Sequence, residues 1–199
     1  MLPTDRSFAD AIERVVSEIE ARTDAEVVVV TAPCSGSYRD VTFATAAAVG
    51  WGVLAFLIWS PIPFEAVWFP VEVAAAGGLT AWAMSSPSYA VRLTTRARRQ
   101  RQVRESAHAA FAVENVHATA ARTGVLVYVS ACEGEALVLP DHGLLGRIPG
   151  TVWADLAVDA RSLDSLVAGL RALGEILAEH VPVTAGDRDE LANTPVIRS

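Results

Sequence analysis

Apolar residues recur three or four positions apart from Phe8 through Ala11, Ile12 and Val15 to Ile19, the spacing of one buried helical face, up to about Arg22. Ser7-Phe8-Ala9-Asp10 fits a capping box at its start. The period then changes. Glu26-Val27-Val28-Val29-Val30-Thr31 is a β-branched run without alternation, which predicts a strand covered on both faces. It leads to Pro33 and the polar turn SGSYRD at 35–40.

From position 41 to 64 the pattern of polar breaks disappears, and no charged residue interrupts the run. At about 1.5 Å per residue, a helix of about 20 such residues spans a hydrocarbon layer of about 30 Å. The two prolines of SPIP suit a tight reversal, and a second apolar run follows from 66 to about 84, interrupted by Pro70 and Glu72. Glu72 falls about two turns into this run, where it is expected to face the partner helix or reach outward, because an acid costs much less near an interface than at mid-bilayer. Trp59, Phe64, Trp68 and Phe69 bracket the turn, with Tyr38, Phe43, Trp82 and Tyr89 toward the other end. Two aromatic belts on one hairpin fit a membrane better than a soluble core, since so small a domain could hardly cover two helices apolar all round.

Beyond the hairpin the soluble periods return. Thr94 or Thr95 can cap a helix running toward Asn115, with Val103, Ala107, Ala110 and Phe111 on its apolar side. Residues 124–130, GVLVYVS, predict a second strand and 136–139, ALVL, a third, joined through the turn CEGE. A final helix over 163–180 turns Leu163, Leu166, Val167, Leu170, Leu173 and Leu177 inward, capped by Ser162. The order of elements predicts a small α/β sandwich made of residues 1–40 and 92–182, with a transmembrane helical hairpin, 41–91, inserted into it. Residues 183–199 read as a loose polar tail.

Charge adds orientation. The 199-residue chain carries a net charge of −7, which argues against a general nucleic-acid binder, and every basic side chain is arginine. Arg92, Arg96, Arg98, Arg99, Arg101 and Arg104 crowd directly after the hairpin, and the SPIPFE turn has none. Positive flanks stay cytoplasmic, so both termini are expected in the cytoplasm, with the cluster at an anionic inner-membrane leaflet where each arginine contributes about 1 kcal/mol of attraction. The segment RLTTRARRQRQVR lacks the interleaved aromatics that stack on nucleic-acid bases. The N-terminus lacks the pattern of a cleavable secretory signal, in keeping with a cytosolic start. Cys34 and Cys132 lie far apart, outside any metal spacing, and are expected as unpaired, reduced thiols.

DAEVVVVTAPCSGSYRD, RTGVLVYVS, LVLPDHG and the terminal RALGEILAEH together resemble the TPM domain family, closest to a bacterial branch with a membrane hairpin after the SGSYRD-like segment and an arginine-rich stretch after the hairpin. The family includes thylakoid proteins linked to photosystem II repair, some described as acid phosphatases, and an auxiliary protein of nematode acetylcholine receptors. The resemblance implies an α/β/α sandwich, membrane association and, for most bacterial members, an undefined role. The chain as a whole reads as a cytosol-facing domain acting through protein contacts, with membrane lipid and a membrane-protein partner or complex as its contacts. Where relatives often carry Asp-Arg or Glu-Arg after the GVLVYVS strand, this chain reads Cys132-Glu133-Gly134-Glu135.

The alternative the resemblance raises is a metal-assisted phosphatase. Such a site needs acids, a divalent cation such as calcium or magnesium, and a positioned nucleophile or water. Its catalytic candidates are Asp24 and Glu26 at a strand entrance, Asp40 after the turn, and Glu133 and Asp141 near the later strands. Acids in these places equally serve as caps and turn residues. Ser35-Gly36-Ser37 could offer backbone amides to an anion, and Asp141-His142-Gly143 is an acid/His neighbourhood best explained as turn chemistry. No P-loop, HExxH or GxSxG motif occurs, and no resident cofactor is implied.

Overall fold

The structure, a computed structural model, describes residues 6–156, 158–184 and 191–198. It is a mixed α/β chain that divides into two units, Met1–Ser35 with Gln100–Ser199, and Gly36–Arg99. The helices are α1 (Arg6–Glu20), α2 (Arg39–Trp59), α3 (Phe69–Ala83), α4 (Pro87–Arg92), α5 (Arg96–Val113), α6 (His142–Leu145), α7 (Gly150–Asp155) and α8 (Leu163–His180). The strands are β1 (Glu26–Ala32), β2 (Gly124–Ser130), β3 (Glu135–Pro140) and β4 (Val196–Ile197).

The sheet of the first unit has the order β3-β2-β1-β4. β1 and β2 run parallel from Glu26↔Gly124 to Ala32↔Ser130, and β3 returns antiparallel on β2. Both β-branched runs are buried along their whole length, because helices cover both faces of the sheet. On one face Val27, Val29, Val125, Val127 and Val129 meet Phe8, Ile12 and Val16 of α1 and Leu166, Leu170, Leu173 and Leu177 of α8. On the other, Val28, Val30, Leu126 and Tyr128 meet Val103, Ala107 and Ala110 of α5. Each fully buried large apolar side chain contributes about 1.5–3 kcal/mol, enough together to hold three layers. A Cβ added at Gly174 would lie 2.7 Å from Ile19 Cγ1, so α8 and α1 approach closely there.

The caps follow the sequence at two helices. The Ser162 hydroxyl accepts from Ser165 N at 3.1 Å and its own N–H donates to Ser165 Oγ at 3.1 Å, closing a reciprocal box at the start of α8. Thr95 Oγ1 accepts from Arg98 N at 3.4 Å at the start of α5. α1 differs: Arg6 is already helical, so Ser7 lies inside the helix and not at its cap.

Two expectations are corrected. The segment after Pro182 is not wholly loose, since Val196 and Ile197 pair in parallel with Val30 and Thr31. Arg198 there forms an ion pair with Glu114 at 2.9 Å. Part of the expected tail, 185–190 and 199, lies outside the described residues. The cysteines are bridged as Cys34–Cys132, with Cα atoms 4.9 Å apart. Register is the reason. Partners along the β1/β2 ladder differ by 98 positions, and so do the two cysteines, each two residues beyond the end of its strand.

In the second unit α2 and α3 pack together through small residues. A Cβ on Gly77 would stand 3.5 Å from the Ala46 carbonyl oxygen, and one on Gly50 would stand 3.4 Å from Val73 Cγ1. Such surfaces bring helix backbones close without large side chains between them. The Thr45 and Thr80 hydroxyls donate to the Val41 and Ala76 carbonyls of their own helices at 2.8 Å, so neither needs an outside partner. Phe56 and Phe64 lie 6.1 Å apart, ring to ring, across the reversal, and Pro70 sits in the first turn of α3, where its missing N–H costs nothing. With the single-turn 3-10 segment Ala66–Trp68 before it, α3 makes an apolar helical stretch, Ala66–Ala83. That stretch and Arg39–Trp59 are both long and apolar enough to cross a membrane. Their large side chains point outward: Trp51, Trp59 and Trp82 are 72, 80 and 76% exposed. Glu72, in the first turn of α3, is half-buried, and its Oε2 is shielded without a hydrogen-bond partner among the described residues.

Candidate functional site

A largely buried polar cluster of the first unit lies just past the C-terminal ends of β1 and β2, the edge of a parallel sheet where α/β proteins commonly place their chemistry. β1 delivers Cys34 and Ser35; β2 delivers Tyr128 and Ser130, and the turn after it delivers Cys132 and Glu133. Gly134 adopts φ of +64°, a left-handed conformation glycine takes without strain, and this lets the chain reverse into β3. The reversal carries Glu133 back over the strand ends.

The buried Glu133 carboxylate accepts from Ser35 N, at 3.1 Å to Oε1 and 3.3 Å to Oε2, and from the Ser130 hydroxyl. Ser35 Oγ donates to Ser130 Oγ at 2.7 Å. With that proton committed, Tyr128 is the donor in its 3.2 Å contact with Ser35 Oγ. The result is a directed chain of hydroxyls, Tyr128 to Ser35 to Ser130, ending on a carboxylate. Ser106 of α5 closes it from the side, donating to the Ser35 carbonyl at 2.9 Å. Main-chain bonds extend the ladder past the strands, from Ala131 N to Ala32 O at 3.0 Å and from Cys132 N to Pro33 O at 2.9 Å.

The expected anion cradle at Ser35-Gly36-Ser37 is thus partly in use. Ser35 N–H does bind an anion, the chain's own Glu133. Chemically the cluster holds a negative charge among donors and offers a hydroxyl path that can shift protons along its length.

The other acids do not converge with Glu133. Asp24, Glu26 and Asp141 stand at the opposite edge of the sheet, about 20 Å away along strands that rise about 3.3 Å per residue. Asp24 holds Thr184 through two bonds of 2.7 Å, and Glu26, itself buried, accepts from Leu191 N at 3.3 Å. Asp141 caps α6 by accepting from His142 N at 2.7 Å and pairs with Arg122 at 2.8 Å, which is the turn chemistry its sequence suggested. Asp40 belongs to the second unit, where Arg98 grips it bidentately at 2.8 and 2.9 Å. No group of three or more potential metal-ligating side chains occurs among the described residues.

The six arginines differ in their freedom to meet a ligand. Arg98 is held by Asp40 and lies over the Tyr38 ring, and Arg99 donates to the Val91 carbonyl at 3.3 Å. Arg92, Arg96, Arg101 and Arg104 are exposed, Arg101 being 3.8 Å from Glu105.

No family model matches the sequence, and no curated protein matches it. The fold is similar to that in the NMR structure of BA42 protein from the psychrophilic bacteria Bizionia argentinensis sp. nov., with a TM-score of 0.57 over 98% of this chain and 94% of that one. The two sequences are 16% identical, so the likeness is one of fold. The Ser35, Ser130 and Glu133 cluster escapes a sequence search for chemistry because its members come from two strands far apart in the chain. Aligning the two valine-rich runs end to end is the signal that would have found it.

Proposed function

We propose that this is a membrane-anchored protein of the TPM kind, whose α/β unit works by protein contact within a membrane-associated complex. The observation that carries the proposal is the outward display of apolar side chains on α2 and α3. Only 17% of the apolar window of Arg39–Trp59 and none of that of Ala66–Ala83 is buried, whereas a core helix of a soluble protein hides most of its surface. Lipid is the solvent such a surface fits.

The arginines supply the side. With four exposed arginines between 92 and 104 and none in the turn at 60–65, the positive-inside bias favours an α/β unit and both termini in the cytoplasm, at the inner membrane. A phosphatase reading draws less support, because the five candidate acids occupy three separate places and each has an internal hydrogen-bond role.

The test begins with membranes washed in alkaline carbonate. The protein is expected to stay in the pellet and to leave it only with detergent; recovery as a monodisperse soluble species without detergent would end the proposal. Reporter fusions at each terminus then read the side, and crosslinking in intact membranes followed by mild solubilisation is expected to capture a specific membrane-protein partner. Hydrolysis of a generic phosphomonoester, with and without divalent cations, that is lost in Asp24→Ala, Glu26→Ala or Asp141→Ala would favour the catalytic alternative.

A further inference from the structure

We propose that Cys34 and Cys132 form a reversible redox-modification site, closed and opened by exchange with small-molecule disulfides and thiols. Three observations meet here. The pair is half-exposed at both cysteines, so a small thiol can reach it. The Cα separation of 4.9 Å lies within the usual range for a bridge. The two segments that carry the cysteines are also joined without the bridge, by Ala131 N to Ala32 O, Cys132 N to Pro33 O, and the bonds of Ser35 to Glu133 and Ser130. Opening the bridge therefore leaves the thiols side by side, ready to close again.

The compartment points the same way, and this part rests on the cytoplasmic placement proposed above: in a reducing cytosol, bridges that form are usually transient and regulatory. Position gives the modification a use. Cys34 lies two residues before Gly36, where the chain leaves the α/β unit for the hairpin, and its neighbour Ser35 is the residue that Glu133, Ser130 and Ser106 all hold. Closing the bridge adds a covalent tie at that exit.

The chemistry balances as two exchanges. One cysteine thiolate attacks a sulfur of the small disulfide, forming a mixed disulfide and releasing one small thiolate. The other cysteine thiolate then attacks the protein sulfur of that mixed disulfide, forming the Cys34–Cys132 bond and releasing the second small thiolate. The two protein thiols lose two electrons to the small disulfide, and their protons end on the two thiols released.

The experiment uses the full chain in detergent, equilibrated in glutathione buffers from fully reduced to fully oxidised, acid-quenched, and alkylated with a maleimide. The ratio of bridged to open chains, read by mass, is expected to change about tenfold for each tenfold change in the ratio of oxidised glutathione to the square of reduced glutathione. Amide hydrogen exchange of residues 34–38 is expected to quicken severalfold on opening, while that of β1 and β2 stays unchanged. Cys34→Ser is expected to stop at the mixed disulfide on Cys132. A pair that stays bridged in every native buffer, or that stays open in the most oxidising one, overturns the proposal. Labelling intact cells with a membrane-impermeant maleimide separates the two inferences: thiols reached from outside remove the cytoplasmic placement, whereas the equilibrium alone decides reversibility.

Discussion

Tyr128 and Trp82 are both large aromatic side chains, and one is 1% exposed while the other is 76% exposed. The contrast runs through both units. In the α/β unit Phe8, Ile12, Leu166 and Leu170 are fully buried, whereas in the hairpin Trp51, Trp59, Val67 and Leu79 face outward. A chain that is 52% hydrophobic therefore divides its large apolar side chains between a buried core and the exposed surface of a hairpin. One part folds by hiding apolar area from water. The other leaves that area on its outside and uses small residues for its internal contact, the arrangement expected where the surroundings are themselves apolar.

The sharpest way to break this contrast is to truncate one aromatic in each unit. Phe8→Ala removes a ring from the contact of α1 with the sheet and is expected to cost about 3–5 kcal/mol in denaturant unfolding followed in detergent. Trp82→Ala is expected to change the same unfolding by less than about 0.5 kcal/mol, since its ring packs little against the protein. Equal losses at the two positions would show that the hairpin shares the α/β core.

Glycines give the next comparison. A Cβ at Gly124 would sit 2.1 Å from the Val116 carbonyl oxygen, so Gly124→Ala forces β2 and the preceding turn apart, at a cost of about 3 kcal/mol. Gly52 has no atom within 4 Å of the same construction, and Gly52→Ala is expected to be neutral or to stabilise α2 by up to about 1 kcal/mol. Thermal melts of the two variants in one detergent decide between these outcomes. A third substitution concerns the polar cluster. Ser130→Ala removes one donor from the buried Glu133 and is expected to cost about 1–3 kcal/mol, read in the same melts.

How far these features could be read from the sequence depended on whether their cause was local. α8 was legible to the residue because its leucine period and its Ser162 cap lie within the helix itself. β1 and β2 showed as β-branched runs for the same reason, and the apolar hairpin needed only a count of uncharged positions. The Cys34–Cys132 bridge, by contrast, depends on the register of two strands separated by a whole inserted unit, and no spacing rule along the chain encodes register. β4 is two residues long and exists because β1 offers it an open edge. Asp24, Glu26 and Asp141 could be named as acids, but that they share one sheet edge while Glu133 occupies the other follows from strand direction, which composition does not carry.

The smallest expected effect separates the units by charge. Arg22 and Glu175 join the segment after α1 to α8 through hydrogen bonds of 2.7 and 3.1 Å, while α2 and α3 meet without an ion pair among the described residues. The hydrogen bond from Arg22, and then its charge, hold the Glu175 carboxyl below its ordinary range. A depressed carboxylate contributes stability above its unfolded value, about pH 4.3, and loses that contribution as pH falls through the folded value. Both side chains are largely exposed, so solvent and salt screen the pair and the contribution is small. Glu175→Gln is therefore expected to lower the melting temperature by no more than about 1–2 °C at pH 7 and low salt. The difference should shrink as pH falls below about 4.3, and in about 1 M salt. A loss that persists under both conditions would show that Glu175 holds α8 by packing and not by charge, and the electrostatic tie between the two helical segments would have to be sought elsewhere, at Glu18 and Arg171, which approach to 3.6 Å.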